Sequence, residues 1–309
     1  MENNAQQFLN DLIQEIGKKD ALHSKKIKKN FNQIAQNHKA QFDELLNMIF
    51  NYFSAQKITP ELLAVDYLKM INDMRKEGMY FLKHGLYSCK NQSMAYEHVY
   101  SRKDIMSYYM NALLISQILW KHHFDMFMYF RESLKKYYKQ NDKITILDVG
   151  PGHGFFSYII KTDIPDYLRL DIVDISESSL DATKQIIGNE KEKMFFFNDD
   201  IFNFNSPHKY DLIILGEVLE HLDKPVEILK KLSDLLADNG VLWLTTPTNS
   251  PALDHVYLFR SKEDVTDLIK LSGFNVNDLH GQYAEDVNEE TAKKNKVTQL
   301  IGAFCKKTV

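Results

Sequence analysis

Cysteine is scarce in this chain. Cys89 and Cys305 are the only two among 309 residues, too few for a disulfide framework or a cysteine metal site. Both are expected to be free thiols in a reducing cytoplasm. Long apolar runs are missing too. No stretch of about 18 apolar residues occurs, so no membrane-spanning helix is expected. The N-terminal Met-Glu-Asn-Asn-Ala-Gln-Gln has neither the basic start nor the apolar middle of a secretory leader. Glycine totals 12, and only Gly17, Gly78 and Gly85 fall in the first 140 residues, which suits a helical region. No internal repeat is visible. What is present is a chain 44% hydrophobic and 26% charged, enough for a large core in one or two domains.

The net charge of −4 conceals a division. Residues 1–140 carry 20 Lys+Arg against 14 Asp+Glu, whereas residues 141–309 carry 18 against 28. Lys18, Lys19, Lys25, Lys26, Lys28 and Lys29 cluster in the basic half. They read as a solvated helix face, or as a surface for nucleic acid or an anionic carrier. Apolar residues recur at helical spacing, as in Ile115, Ile118, Leu119 and Phe124, Phe127, Met128. The pattern predicts helices near 5–17, 26–53, 60–83, 92–100 and 103–138. Thr59 and Pro60 read as an N-cap and first helical residue. Residues 84–130 are dense in His, Tyr, Met and Trp, including Trp120, His122 and His123. Such side chains fit core and interface packing, or a helical lid over a substrate pocket.

From about residue 141 the period changes. Strands are predicted at 144–149, 168–174, 193–198, 210–215, 240–245, 274–282 and 298–305. Helices fall between them at 153–162, 177–188, 223–237 and 261–272. Alternation of this kind builds a parallel sheet with helices on both faces. The last two strands have no long helix between them, so an antiparallel closing pair is expected. The domains expected are therefore a helical one over 1–140 and an α/β one over 141–309.

The first strand runs into Asp148-Val149-Gly150-Pro151-Gly152-His153-Gly154. Glycine permits the sharp turn and lets a ligand lie against the backbone. The following helix start offers free N–H groups to an anion. The spacing is G-x-G-x-G, not the G-x-G-x-x-G of dinucleotide sites. Asp174 ends the second strand about 20 residues on, where an acid can take both ribose hydroxyls. The third strand ends in Asp199-Asp200-Ile201, and the fourth runs into Gly216-Glu217-Val218-Leu219-Glu220-His221.

These segments, in this order, resemble the class I S-adenosylmethionine (SAM)-dependent methyltransferases. The resemblance implies a Rossmann-like, seven-stranded sheet of order 3-2-1-4-5-7-6 with one antiparallel strand, and SAM as cofactor. It implies cofactor contacts from Asp148, Gly150, Gly152, Gly154, Asp174, Ile175 and Gly216. It also implies adenine contacts from Asp200 with Ile201, or from Asp199.

If residues 217–222 form a helical turn, Glu217, Glu220 and His221 share one face. His255 follows the fifth strand. Two carboxylates and two imidazoles suit a divalent metal such as Mg, Mn, Fe or Zn. Without a metal, His221 or His255 is the candidate general base. Glu-x-x-Glu-His resembles the ubiquinone-biosynthesis O-methyltransferases and the small-RNA 3′-end 2′-O-methyltransferases. That resemblance covers the α/β half only, and implies transfer to an oxygen beside another oxygen. No Asn-Pro-Pro-Tyr follows the fourth strand, which argues against nitrogen in nucleic acid or protein as the target. The expected acceptor is a small molecule and its hydroxyl oxygen, with a homodimer allowed for. RNA ribose methylation and a non-catalytic SAM-binding partner protein are the rival readings.

Overall fold

The computed structural model describes residues 2–308, with side chains described from residue 4. The chain forms two compact units. The first comprises residues up to Asp125 together with Pro251–Asp254, and the second Met126–Ser250 with the chain from His255 onward.

The first unit is helical. Its elements are α1 (Glu2–Lys19), α2 (Ala21–Ala55), α3 (Pro60–His84), α4 (Gln92–Ala95), a π-helical turn (Tyr96–Tyr100) and α5 (Lys103–Leu119). Asp20 caps α2 by accepting from the His23 N–H, and Thr59 caps α3 with Pro60 at its first position. Gly85 ends α3 in the left-handed region, its N–H donating to Phe81 O. Apolar faces of α1, α2, α3 and α5 close around Leu12, Ile49, Phe53, Tyr67 and Ile115. Polar ties lie between the helices: Asn111 donates to Asp66 at 2.8 Å, and Tyr108 to Asp73 at 2.7 Å. Asp254 is buried and accepts from the Tyr100 and Tyr109 hydroxyls, each at 3.0 Å.

Three expectations from the sequence need correction here. Residues 103–138 are not one helix. The backbone is extended at Trp120, and α6 (Lys121–Tyr137) starts after it. No proline or glycine marks the break. Instead the Trp120 indole N–H is held by the Tyr67 hydroxyl at 2.7 Å. Helix α2 is long but leaves helical geometry at His38. Residues 92–100 form a short α-helix and a π-helical turn rather than one regular helix.

The second unit holds one sheet of β1 (Thr145–Val149), β2 (Arg169–Asp174), β3 (Met194–Asn198), β4 (Tyr210–Gly216), β5 (Leu236–Thr248), β6 (Phe274–Tyr283) and β7 (Gln299–Lys307). Their order is β3-β2-β1-β4-β5-β7-β6, with β7 antiparallel to both neighbours. This is the strand order expected from the sequence. Helices α7 (Phe155–Asp163), α8 (Glu177–Ile187), α9 (Pro225–Leu235) and α10 (Lys262–Leu271) connect the parallel strands. A short α11 (Glu289–Lys294) sits between β6 and β7.

The helix expected at 223–237 ends at Leu235, and Asn239-Gly240 follows it. That pair lies inside β5, which begins at Leu236 directly after α9 and pairs with β4 through a register shift. From Met126 onward, α6 packs with the sheet. Phe127 and Phe130 meet Phe155, Phe156, Trp243 and Phe304. Arg131 closes a two-pronged ion pair on Asp163, at 2.8 and 2.6 Å. Among the described residues no helix is long and apolar enough to cross a membrane.

Candidate active site

The residues singled out above lie at the carboxyl ends of β1, β2, β3, β4 and β5. The glycine loop takes the geometry its composition predicts. Gly150, Gly152 and Gly154 have φ of +64, +59 and +73, a region that other residues enter at a cost. A Cβ on Gly154 would lie 2.6 Å from Thr183 Cγ2, so close packing against α8 also demands glycine there. A Cβ on Gly152 would meet nothing within 4 Å. That position faces open space.

Asp148 is fully buried, and its carboxylate accepts from the Ser157 hydroxyl at 2.6 Å. Burial pushes its pKa from 3.8 up to about 7, the Ser157 bond opposing the rise and the Asp174 charge adding to it. Asp174 accepts from the Ser176 N–H at 2.8 Å, and burial pushes its pKa up to about 6. Ile175 beside it is exposed, while Ile201 lies in the sheet core with Phe204. Asp199 and Asp200 are exposed. Asp199 accepts from the Asp200 N–H and Asp200 from the Phe202 N–H.

The Asp148 shift makes a stability prediction. A folded-state pKa above the unfolded one contributes stability that is full below about pH 4 and lost as pH rises through about 7. Above pH 7 the ionised, buried carboxylate costs at most about 4 kcal/mol. Asp148→Asn should therefore raise the urea midpoint of the ligand-free protein at pH 8. Its advantage should shrink toward pH 5. Parallel pH profiles for the two proteins would remove Asp148 from this account.

Gly216 opens the next segment, and a Cβ there would strike the Phe156 ring at 2.5 Å. The turn after β4 differs from a regular helical turn. Only Leu219–His221 is helical, as a 3₁₀ turn, and Glu217 stands outside it with φ +55. The Glu217 N–H donates to Thr245 O and Oγ1. Burial raises its carboxyl pKa, with the Thr245 hydroxyl opposing. Glu220 is buried and accepts from the Thr246 hydroxyl at 2.9 Å.

Ligand atoms of Glu220, His221 and His255 all lie within 4.8 Å of one another, and Glu217 is not in that group. His221 and His255 meet edge to face, with centroids 4.9 Å apart. His255 Nδ1 lies 2.7 Å from the Ser250 carbonyl. A carbonyl only accepts, so Nδ1 carries a proton, and in the neutral ring Nε2 then keeps its lone pair. Glu220 O accepts the N–H groups of Val256 and Tyr257, which fixes the loop that bears His255. The supporting residues Ser157, Thr245, Thr246 and Ser250 carry no motif. Only the fold brings them to their partners.

His153 is buried in the loop, with its pKa lowered to about 4 by burial. His122 and His123 pack with Trp120 in the helical unit.

The chain is similar to several known proteins. Residues 147–242 match the family model described as a methyltransferase domain. Malonyl-[acyl-carrier protein] O-methyltransferase 1 of Ilyobacter polytropus is 30% identical over 126 residues, covering 41% of this chain and 44% of that protein. A ubiquinone biosynthesis O-methyltransferase of Rickettsia bellii is 24% identical over 119 residues, covering 38% and 48%. The matches thus span less than half of each relative. Among solved structures, the N-methyltransferase NodS of Bradyrhizobium japonicum bound to S-adenosyl-L-homocysteine superposes with a TM-score of 0.48 at 15% identity. That superposition covers 70% of this chain and 98% of that one.

Proposed function

We propose that this chain, which carries a class I SAM-dependent methyltransferase domain, transfers a methyl group to a hydroxyl oxygen of a small-molecule acceptor. The observation that supports this most is the convergence of Glu220, His221 and His255 at the sheet edge that also bears the glycine loop. The residues fit SAM. Gly152 leaves open space where a side chain would stand, and Asp174 ends β2 where ribose hydroxyls can be accepted. SAM supplies a sulfonium-bound methyl group that needs no activation by the protein. The protein's part is to align the acceptor oxygen and take its proton.

His255 suits that part. Its Nδ1–H is tied to Ser250 O, which orients the ring and in the neutral ring leaves Nε2 free of a proton. His221 stacks edge-on against it, and Glu220 places a carboxylate oxygen 3.9 Å from His221 Nε2. That distance is too long for a hydrogen bond but sets a carboxyl oxygen beside the ring.

A second reading gives the same three residues a divalent cation. Their two imidazoles and one carboxylate favour Zn, Fe or Mn over Mg. The Thr246 and Ser250 contacts orient Glu220 and His255 as outer partners commonly orient ligands. Such an ion would supply Lewis-acid polarisation of the acceptor oxygen.

One experiment separates these readings. The protein is incubated with methyl-labelled SAM and a metabolite extract, with and without a chelator, and labelled products are identified by mass analysis. A labelled methyl ether formed equally under chelation supports the base reading. Loss under chelation, reversed by Mn or Zn, supports the metal reading. A product labelled on nitrogen, or retained SAM with no transfer, would overturn the proposal.

A further inference from the structure

Glu217 carries two anomalies at once. Its φ of +55 is left-handed, a conformation that strains a non-glycine residue. Its Oε1 is sealed from solvent and has no hydrogen-bond partner. Folding alone requires neither feature. Glycine would make this turn without strain, and an apolar side chain would remove the isolated oxygen. The Thr245 hydroxyl meets the Glu217 carboxyl, which leaves Oε1 as the isolated oxygen. Glu217 also stands outside the group formed by Glu220, His221 and His255.

The position of Glu217 narrows its role. Strands β1 and β4 run side by side, with Val149 opposite Leu215. The glycine loop and the Glu217 turn therefore leave the sheet as neighbours. Val218 Cγ2 lies 2.8 Å from where a Cβ on Gly150 would sit, so this turn packs directly on the loop. The methionine end of SAM carries a carboxylate and an ammonium. The carboxylate suits backbone N–H groups at a helix start. The ammonium donates three hydrogen bonds and accepts none, so it needs an acceptor, and a carboxylate is the strongest available. We propose that Glu217 is that acceptor, holding the ammonium of the methionine moiety and so registering the cofactor against β4. The inference rests on the reading of residues 141–309 as a SAM-binding domain.

The test is binding, not turnover. S-adenosylhomocysteine and its desamino analogue, in which hydrogen replaces the amino group, are titrated into the full chain by calorimetry. The wild type should prefer the amino-bearing ligand. Glu217→Gln should lose about 10- to 100-fold in affinity for S-adenosylhomocysteine and bind the desamino analogue as the wild type does. Glu217→Gly guards against a folding artefact, because it relieves the positive φ. It should melt at or above the wild-type temperature and show the same loss of discrimination. If both variants keep the wild-type preference, the proposal fails and the cofactor reading stands. If the wild type binds neither ligand, both fail.

Discussion

His255→Ala is expected to lower methyl transfer by about 10²- to 10⁴-fold, the usual contribution of a positioned general acid or base. Affinity for S-adenosylhomocysteine should stay within about twofold. The two ring nitrogens have separate parts. Nδ1–H serves the fold, because it donates to Ser250 O across the loop from 250 to 255. Nε2 is the atom that the proposed function gives the acceptor's proton, and it lies on the ring that meets His221. His255→Asn separates the two roles. An asparagine amide can still donate to Ser250 O but offers nothing at the Nε2 position. It should be as inactive as His255→Ala while melting closer to the wild type. Single-turnover transfer to the acceptor found in the extract, with calorimetric binding of S-adenosylhomocysteine, gives both readouts. An Asn variant with wild-type turnover would show that His255 only shapes the loop.

The contrast between Glu217 and Glu220 marks how far the sequence reads. The spacing Glu-x-x-Glu-His places three ligand-type residues within five positions, and helical geometry would put them on one face. The backbone takes another course. Only Leu219–His221 turns helically, and Glu217 enters the left-handed region. No propensity rule predicts a left-handed glutamate, because its stabilisation comes from Thr245 on the neighbouring strand. The sheet order was more legible. Glycines at alternate positions after an apolar strand, acids at strand ends and a helix-free closing pair each restrict the topology. The strand limits held to within a few residues, except that β5 starts four residues earlier than its apolar run implied.

Tertiary contacts account for the remaining misreadings. The periodicity of 103–138 is unbroken in sequence, yet Trp120 leaves the helix to donate to Tyr67, 53 residues away. The apolar stripe of α6 likewise announces a buried face without saying what covers it. Phe130 meets Phe156, Trp243 and Phe304, which come from three separate segments. Such choices depend on contacts between distant residues, and a local pattern does not encode them.

Trp243→Ala should cost the sheet unit about 3–5 kcal/mol, the range for deleting a fully buried large aromatic. Trp243 has 0% exposure. It is wedged among Tyr129, Phe130, Phe156 and Phe304, with ring centroids 4.6 to 6.1 Å away. A Cβ on Gly302, across the ladder in β7, would lie 2.6 Å from Trp243 Cη2. Glycine at 302 is thus what admits the indole. The indole Nε1 has no hydrogen-bond partner, a burden of about 1–3 kcal/mol. Trp243→Phe removes that N–H together with part of the ring volume, so the two effects offset and the net cost should be about 1 kcal/mol. Chemical denaturation followed by far-UV circular dichroism measures both, since the chain has only two tryptophans to report by fluorescence. If Phe cost as much as Ala, the isolated N–H would be no burden. The effect should reach the site, because Thr245 and Thr246 follow Trp243 on β5 and bond to Glu217 and Glu220. Loosening the indole should therefore weaken S-adenosylhomocysteine binding under conditions where the Ala variant is still folded.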